Sequence, residues 1–264
     1  MQTAETLKIL QNGTVDIEGL LPWSSNYAFL VRVCQDEDEV EAVYKPRRGE
    51  RPLWDFPQGT LCLREEAAFL VSEALGWHLV PPTVLRQGQH GIGTVQLFIE
   101  HDPERHYFTF EGDPTFRPQL QRISLLDIII NNADRKGGHV LIEDDTEEEP
   151  GSAGKLWGID HGICFHTDPK LRTVIWEFAG SPIPERLRED LSAFVRQLET
   201  SDSPLNKRLE ALLATEEVQA LQRRTTRLLT RGVFPEPGAG RHYPGLLFKT
   251  IYRGQRRFPL NPHL

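Results

Sequence analysis

Two carboxylates hold most of the chemical information in this chain. Asp134 lies in NNADRKGGHVLIEDD, on a loop after an apolar helical run, and Asp160 lies in KLWGIDHGICF, at the end of an apolar strand and just before a His-Gly pair. Phosphoryl transfer from ATP needs both kinds of group: one orients the attacking hydroxyl and takes its proton, and the other holds a metal that bridges the β- and γ-phosphate oxygens. Upstream, GLLPWSSN brings Ser24, Ser25 and Asn26 just ahead of a strand, where backbone N–H groups and hydroxyls could meet an anion. The same three residues also suit ordinary turn chemistry.

The elements that must position these groups follow from hydrophobic periodicity. Tyr27–Cys34 and Val40–Tyr44 are β-rich runs flanking the acidic turn QDEDE, which predicts a hairpin. Thr60–Leu75 has apolar residues at helical spacing and Gly76 as a stop. Pro82–Arg86 and Thr94–Ile99 are strand-like runs joined by QGQHGIG, and EHDPER then breaks the pattern, which predicts a boundary near Glu100–Pro103 and two parts, 1–101 and 102–264. The second part opens with an apolar helix, Gln119–Asn131. A short strand Val140–Ile142, an acidic turn EDDTEEEPGSAG and a strand Lys155–Ile159 follow. Ile183–Thr200, Leu205–Ala214 and Glu216–Thr230 read as helices before an irregular Pro- and Gly-rich tail.

Composition narrows the function classes. With 264 residues, 30 Lys and Arg, 38 Asp and Glu and a formal charge of -8, the chain has globular proportions and lacks the field expected of a broad nucleic-acid footprint. Arg223, Arg224, Arg227 and Arg231 have the spacing of a solvated helix face, and Lys45, Arg47 and Arg48 form a smaller basic patch. Cys34, Cys62 and Cys164 are odd in number, widely spaced and without a C-x-x-C, so buried thiols are expected rather than a disulfide framework or structural zinc. No basic-then-apolar leader opens the sequence, and no stretch approaches the ~18 apolar residues needed to cross a bilayer, so a cytoplasmic protein without stable membrane insertion is expected.

The order and spacing of the carboxylates resemble a kinase catalytic loop, in which a catalytic Asp is followed five residues later by a metal ligand and then by a hairpin carrying the metal-binding Asp. In that resemblance Asp134 is catalytic, Lys136 steadies the transferred phosphate, and His139 and Asp160 hold metal. NADR and GIDHGICF look still more like phosphoinositide 3-/4-kinases. The phrases FPQGTL, ALGWHLVPPT, NNADRKGGHVL and GIDHGICF resemble a group of short, largely actinobacterial phosphoinositide 3-/4-kinase-like proteins over about residues 10–235. Val43-Tyr44-Lys45-Pro46 resembles the strand whose lysine contacts the α- and β-phosphates. Its helix-borne partner would be Glu65 or Glu66, with Glu65 favoured, and Glu100 would lie at the interlobe hinge beside adenine.

The resemblance implies a two-lobed α+β kinase-like fold, with ATP and Mg²⁺ or Mn²⁺ as cofactors. The acceptor would be a hydroxyl on a small inositol- or sugar-like molecule, a lipid head group or a protein. The sequence departs from standard kinases in three places. It has no Gly-x-Gly-x-x-Gly loop, for which Ser24–Asn26 would substitute, and no Ala-Pro-Glu activation segment. His139 also stands where Asn is usual, which predicts a second metal that is weak, absent or Mn²⁺. A nucleotide-binding pseudokinase and an AMP transferase are the alternatives the motifs leave open. His161 and His166 are expected to be structural or loop histidines.

Overall fold

The computed structural model describes residues 3–21, 26–143, 154–200 and 202–245. The acidic turn and most of the Pro- and Gly-rich tail lie outside them, as do Ser24 and Ser25. The chain opens with helix α1 (Thr3–Asn12) and strands β1 (Thr14–Leu20), β2 (Phe29–Gln35) and β3 (Asp38–Pro46), followed by helix α2 (Leu61–Ala74) and the hairpin β4 (Thr83–Gly88) and β5 (Gly91–Leu97). The five strands form one antiparallel sheet in the order β1-β2-β3-β5-β4.

Strand alternation gives this sheet two different faces. Tyr44, Ala42, Val31, Val33, Val84 and Val95 cluster with Ile9 and Leu10 of α1. Lys45 follows Tyr44 and therefore points to the opposite face, toward α2. A Schellman-type end closes α2, with Trp77 N–H donating to Ser72 O and Gly76 N–H to Glu73 O, and Gly76 takes the required φ of 68°. At its other end the Glu50 carboxylate accepts from the N–H groups of Leu61 and Cys62, which satisfies two unpaired donors of the first turn.

Beyond the sheet come a short helix α3 (Tyr107–Phe110), α4 (Arg117–Ile130), the hairpin β6 (Val140–Glu143) and β7 (Lys155–Gly158), and helices α5 (Glu185–Glu199), α6 (Pro204–Leu212) and α7 (Thr215–Arg231). Leu120, Ile123, Leu125, Leu126, Ile129 and Ile130 are all buried, with Ser124 and Asp127, so most of the C-terminal half of α4 is enclosed, while Arg117 and Pro118 at its start are exposed. Ala67, Phe69 and Val71 of α2 share a hydrophobic cluster with α4, α5, α6 and α7. Among the described residues no helix is long and apolar enough to cross a membrane.

Gly93 shows how closely the sheet is fitted beside Lys45. It pairs with Pro46, and a Cβ there would collide with the Lys45 carbonyl oxygen and stand 2.6 Å from Pro46 Cα, both backbone atoms that cannot rotate away. Gly93→Ala is expected to displace β3 at Lys45 and to lower stability by about 1–3 kcal/mol, measured by urea unfolding.

Candidate active site

The site grows from the end of α4. Asn131 ends that helix in the left-handed conformation, with φ 56°, a geometry Asn tolerates better than most residues. Its side chain donates to the carbonyls of His166 and Asp168 and accepts from Lys170 N–H. Asn132 donates to Asp127 Oδ1 and accepts from Asp134 N–H, so the backbone carrying Asp134 is tied through Asn132 to the helix that precedes it.

Arg135 is the centre of the loop. It is fully buried and forms a forked pair with Asp127, with Nε at 2.9 Å from Oδ2 and a terminal nitrogen at 2.9 Å from Oδ1. The same guanidinium donates to the carbonyls of His139 and Ile159 and to His161 Nε2, at 3.0, 2.9 and 2.7 Å. Because Arg can only donate, His161 must accept through Nε2 and carry its proton on Nδ1. Burial works against the charge on Arg135, and Asp127 reverses that effect, leaving its pKa above the ordinary value.

Lys45, Glu65, Asp160 and His139 form a continuous chain of contacts. Lys45 Nζ lies 2.6 Å from Glu65 Oε1 and 3.1 Å from Asp160 Oδ1, and His139 Nε2 lies 3.4 Å from Asp160 Oδ2. The second Glu65 oxygen accepts from His161 N–H at 3.0 Å, joining α2 to the segment after Asp160. Glu66 turns instead to Arg208 on α6. Asp160 adopts φ 62°, an uncommon conformation for a residue with a side chain. Burial pushes its pKa upward, but the Lys45 ammonium, with Lys136 also near, holds it well below the usual carboxylate range. Burial pushes His139 down to about 3, so its imidazole is neutral near pH 7.

Asp134 pairs with Lys136, which is buried. Asn26 Oδ1 accepts from Arg51 N–H, a contact that holds the approach to β2 against the turn after β3. Glu100 is exposed just beyond Ile99, which packs with Leu141, Trp157 and Ile159 where the exit of β5 meets β6 and β7.

Asp127 lies outside the sequence motifs, and Asn132 and Arg135 enter them only as part of NADR, without a role of their own. A usable signal was present in LLDIII, because an acid inside an apolar helical run is seldom buried without a partner. His161 is buried and serves as an acceptor for Arg135, in keeping with a structural histidine.

Residues 86–231 match the family described as phosphatidylinositol 3- and 4-kinase. The chain belongs to that family. It is 36% identical to protein Rv2133c of Mycobacterium tuberculosis over 89% of this chain and 93% of that protein. It is 30% identical to phosphatidylinositol 4-kinase gamma 4 of Arabidopsis thaliana over 66% of this chain but only 34% of the plant protein. The chain thus spans about a third of the length of that relative. Among solved structures, the Golgi casein kinase with Mn/ADP bound superposes with a TM-score of 0.56 at 16% identity, over 86% of this chain and 74% of that one. The hydra Fam20 structure with sugar superposes with 0.52 at 14% identity, over 86% and 87%. The fold is therefore the kinase-like α+β architecture expected from the motifs, with an antiparallel sheet followed by a helical region.

Arg135 holds this loop together, and its loss would leave Asp127 buried without its ion-pair partner. Arg135→Ala is expected to cost about 3–5 kcal/mol in urea unfolding, and Arg135→Lys to recover little, because an ammonium cannot reproduce the fork. A loss no larger than that of an exposed substitution would show that this pair does not organise the loop.

Proposed function

We propose that the chain is an ATP-dependent phosphotransferase that binds nucleotide between residues 1–101 and 102–264 and moves the γ-phosphate to a hydroxyl acceptor. The observation that carries this reading is the linkage of Lys45 to both Glu65 and Asp160, in a chain that also presents Asp134 on an anchored loop. Lys45, oriented by Glu65, would bind the α- and β-phosphates. Glu100, exposed next to the buried cluster of Ile99, Leu141, Trp157 and Ile159, would lie beside the adenine. Asp134 would accept the proton of the acceptor hydroxyl as its oxygen attacks the γ-phosphorus, the bond to the β-phosphate oxygen breaks and ADP departs. Lys136, already paired with Asp134, would meet the negative charge of the phosphate in transit.

The side chains present also suit a divalent cation. Neither ring nitrogen of the buried His139 has a hydrogen-bond partner among the described residues, and Nε2 faces the ionised Asp160. No group of three or more His, Cys, Asp or Glu side chains that could hold a metal occurs among the described residues, so phosphate oxygens and water would complete the shell. A bound cation would neutralise charge on the β- and γ-phosphates.

The acceptor class is an inositol- or sugar-like small molecule, a lipid head group or a protein hydroxyl. His139 in place of Asn supports a second reading, a nucleotide-binding module with little turnover. ATP consumption is the test, with Mg²⁺ or Mn²⁺ and a panel of inositols, sugars, lipids and proteins. Asp134→Ala should lower turnover by about 10²–10⁴-fold while nucleotide binding persists. Equal turnover in both proteins, with ATP still bound, would favour the module. A product heavier by AMP rather than by phosphate would indicate adenylyl transfer.

A further inference from the structure

The features of His139 go beyond a generic cation site. Its side chain is 1% exposed, and neither Nδ1 nor Nε2 has a hydrogen-bond partner among the described residues. An imidazole buried in this way loses solvation at both nitrogens, which is costly unless something else engages it. The backbone around the ring is firmly placed: His139 O accepts from Arg135, His139 O also accepts from Ile159 N–H, and His139 N–H donates to Lys136 O. From that backbone the buried ring places Nε2 3.4 Å from Asp160 Oδ2, a gap that lets a nitrogen and an oxygen donor face one ion. Asp160 Oδ1, in contrast, is engaged by Lys45.

This donor pair distinguishes between metals. Mg²⁺ binds oxygen, keeps its waters and demands a near-ideal octahedron, so a buried nitrogen is a poor exchange for a water ligand. First-row transition ions accept imidazole readily, and Mn²⁺ combines that tolerance with an affinity for carboxylate and phosphate oxygens. Resting on the nucleotide-and-metal reading above, we infer that His139 is a metal-selectivity residue that makes the site prefer Mn²⁺ over Mg²⁺ when nucleotide is bound.

The test measures binding rather than turnover. Mn²⁺ affinity of the ADP-bound protein is read from the EPR signal of free Mn²⁺, and Mg²⁺ affinity from its competition, for the intact chain and for His139→Asn. His139→Gln serves as a second variant should the first fail to fold. The Mn²⁺-to-Mg²⁺ affinity ratio, corrected for that of free ADP, is expected to fall at least about tenfold on removal of the imidazole, chiefly through lost Mn²⁺ affinity. An unchanged ratio with metal-dependent ADP binding intact would overturn the selectivity role and leave the phosphotransferase reading standing. Absence of metal-dependent ADP binding in the intact chain would overturn both.

Discussion

One buried guanidinium ties together the segments that carry Asp134 and Asp160. Arg135 is removed from water, a costly state for a charge, and is stable there because Asp127 and three further acceptors take up its donors. Those acceptors belong to different stretches of chain: Asp127 to α4, His139 to the loop before β6, and Ile159 and His161 to the residues flanking Asp160. A single rigid fork thereby sets the relation between the loop carrying Asp134 and the segment carrying Asp160. The two residues beside it, Asp134 and Lys136, inherit that placement through the backbone.

A second constraint comes from α2, which is tied to the rest of the molecule by consecutive charged residues. Arg64 donates to Cys164 O and to Glu217 on α7, Glu65 joins Lys45 to His161 N–H, and Glu66 pairs with Arg208 on α6. Arg64, Glu65 and Glu66 are all buried, which is unusual for three successive charges and is possible only because each has a partner. The Lys45–Glu65 pair does not stand alone. Moving α2 away would break the Arg64 and Glu66 pairs with the helical region and expose the apolar side chains that α2 shares with α4–α7.

Long apolar patterns were the most legible part of the fold. α2, α4, α5, α6 and α7 follow their periodicity to within a few residues, and the hairpin β2–β3 follows its β-rich runs and turn, whereas in β4–β5 most of the expected turn QGQHGIG is strand and only Gln89 and His90 link the two. α1, β1 and α3 were not anticipated. α1 has only Thr6, Ile9 and Leu10 buried, too few apolar positions to stand out, and it owes its place to the sheet face it covers. β1 alternates weakly and contains Asp16, Glu18 and Gly19, yet pairing with β2 makes it a strand, with a register shift between Ile17 and Gly19. α3 is a four-residue turn set among charged and aromatic residues.

The order Lys45, Glu65 or Glu66, Asp134, Asp160 was present in the sequence by itself, because spacing along the chain is a one-dimensional property, and the kinase-like α+β class followed from the resemblance of those motifs to known kinases. Tertiary structure decided between the two glutamates, since neighbours on a helix point about 100° apart and only one can face Lys45. It also showed that Asp127, Asn132 and Arg135 form the support of the loop, and that Asn26 is held by Arg51 N–H. Those contacts depend on where α4, β7 and the strand turns lie relative to one another, and no local pattern of residue types encodes that arrangement.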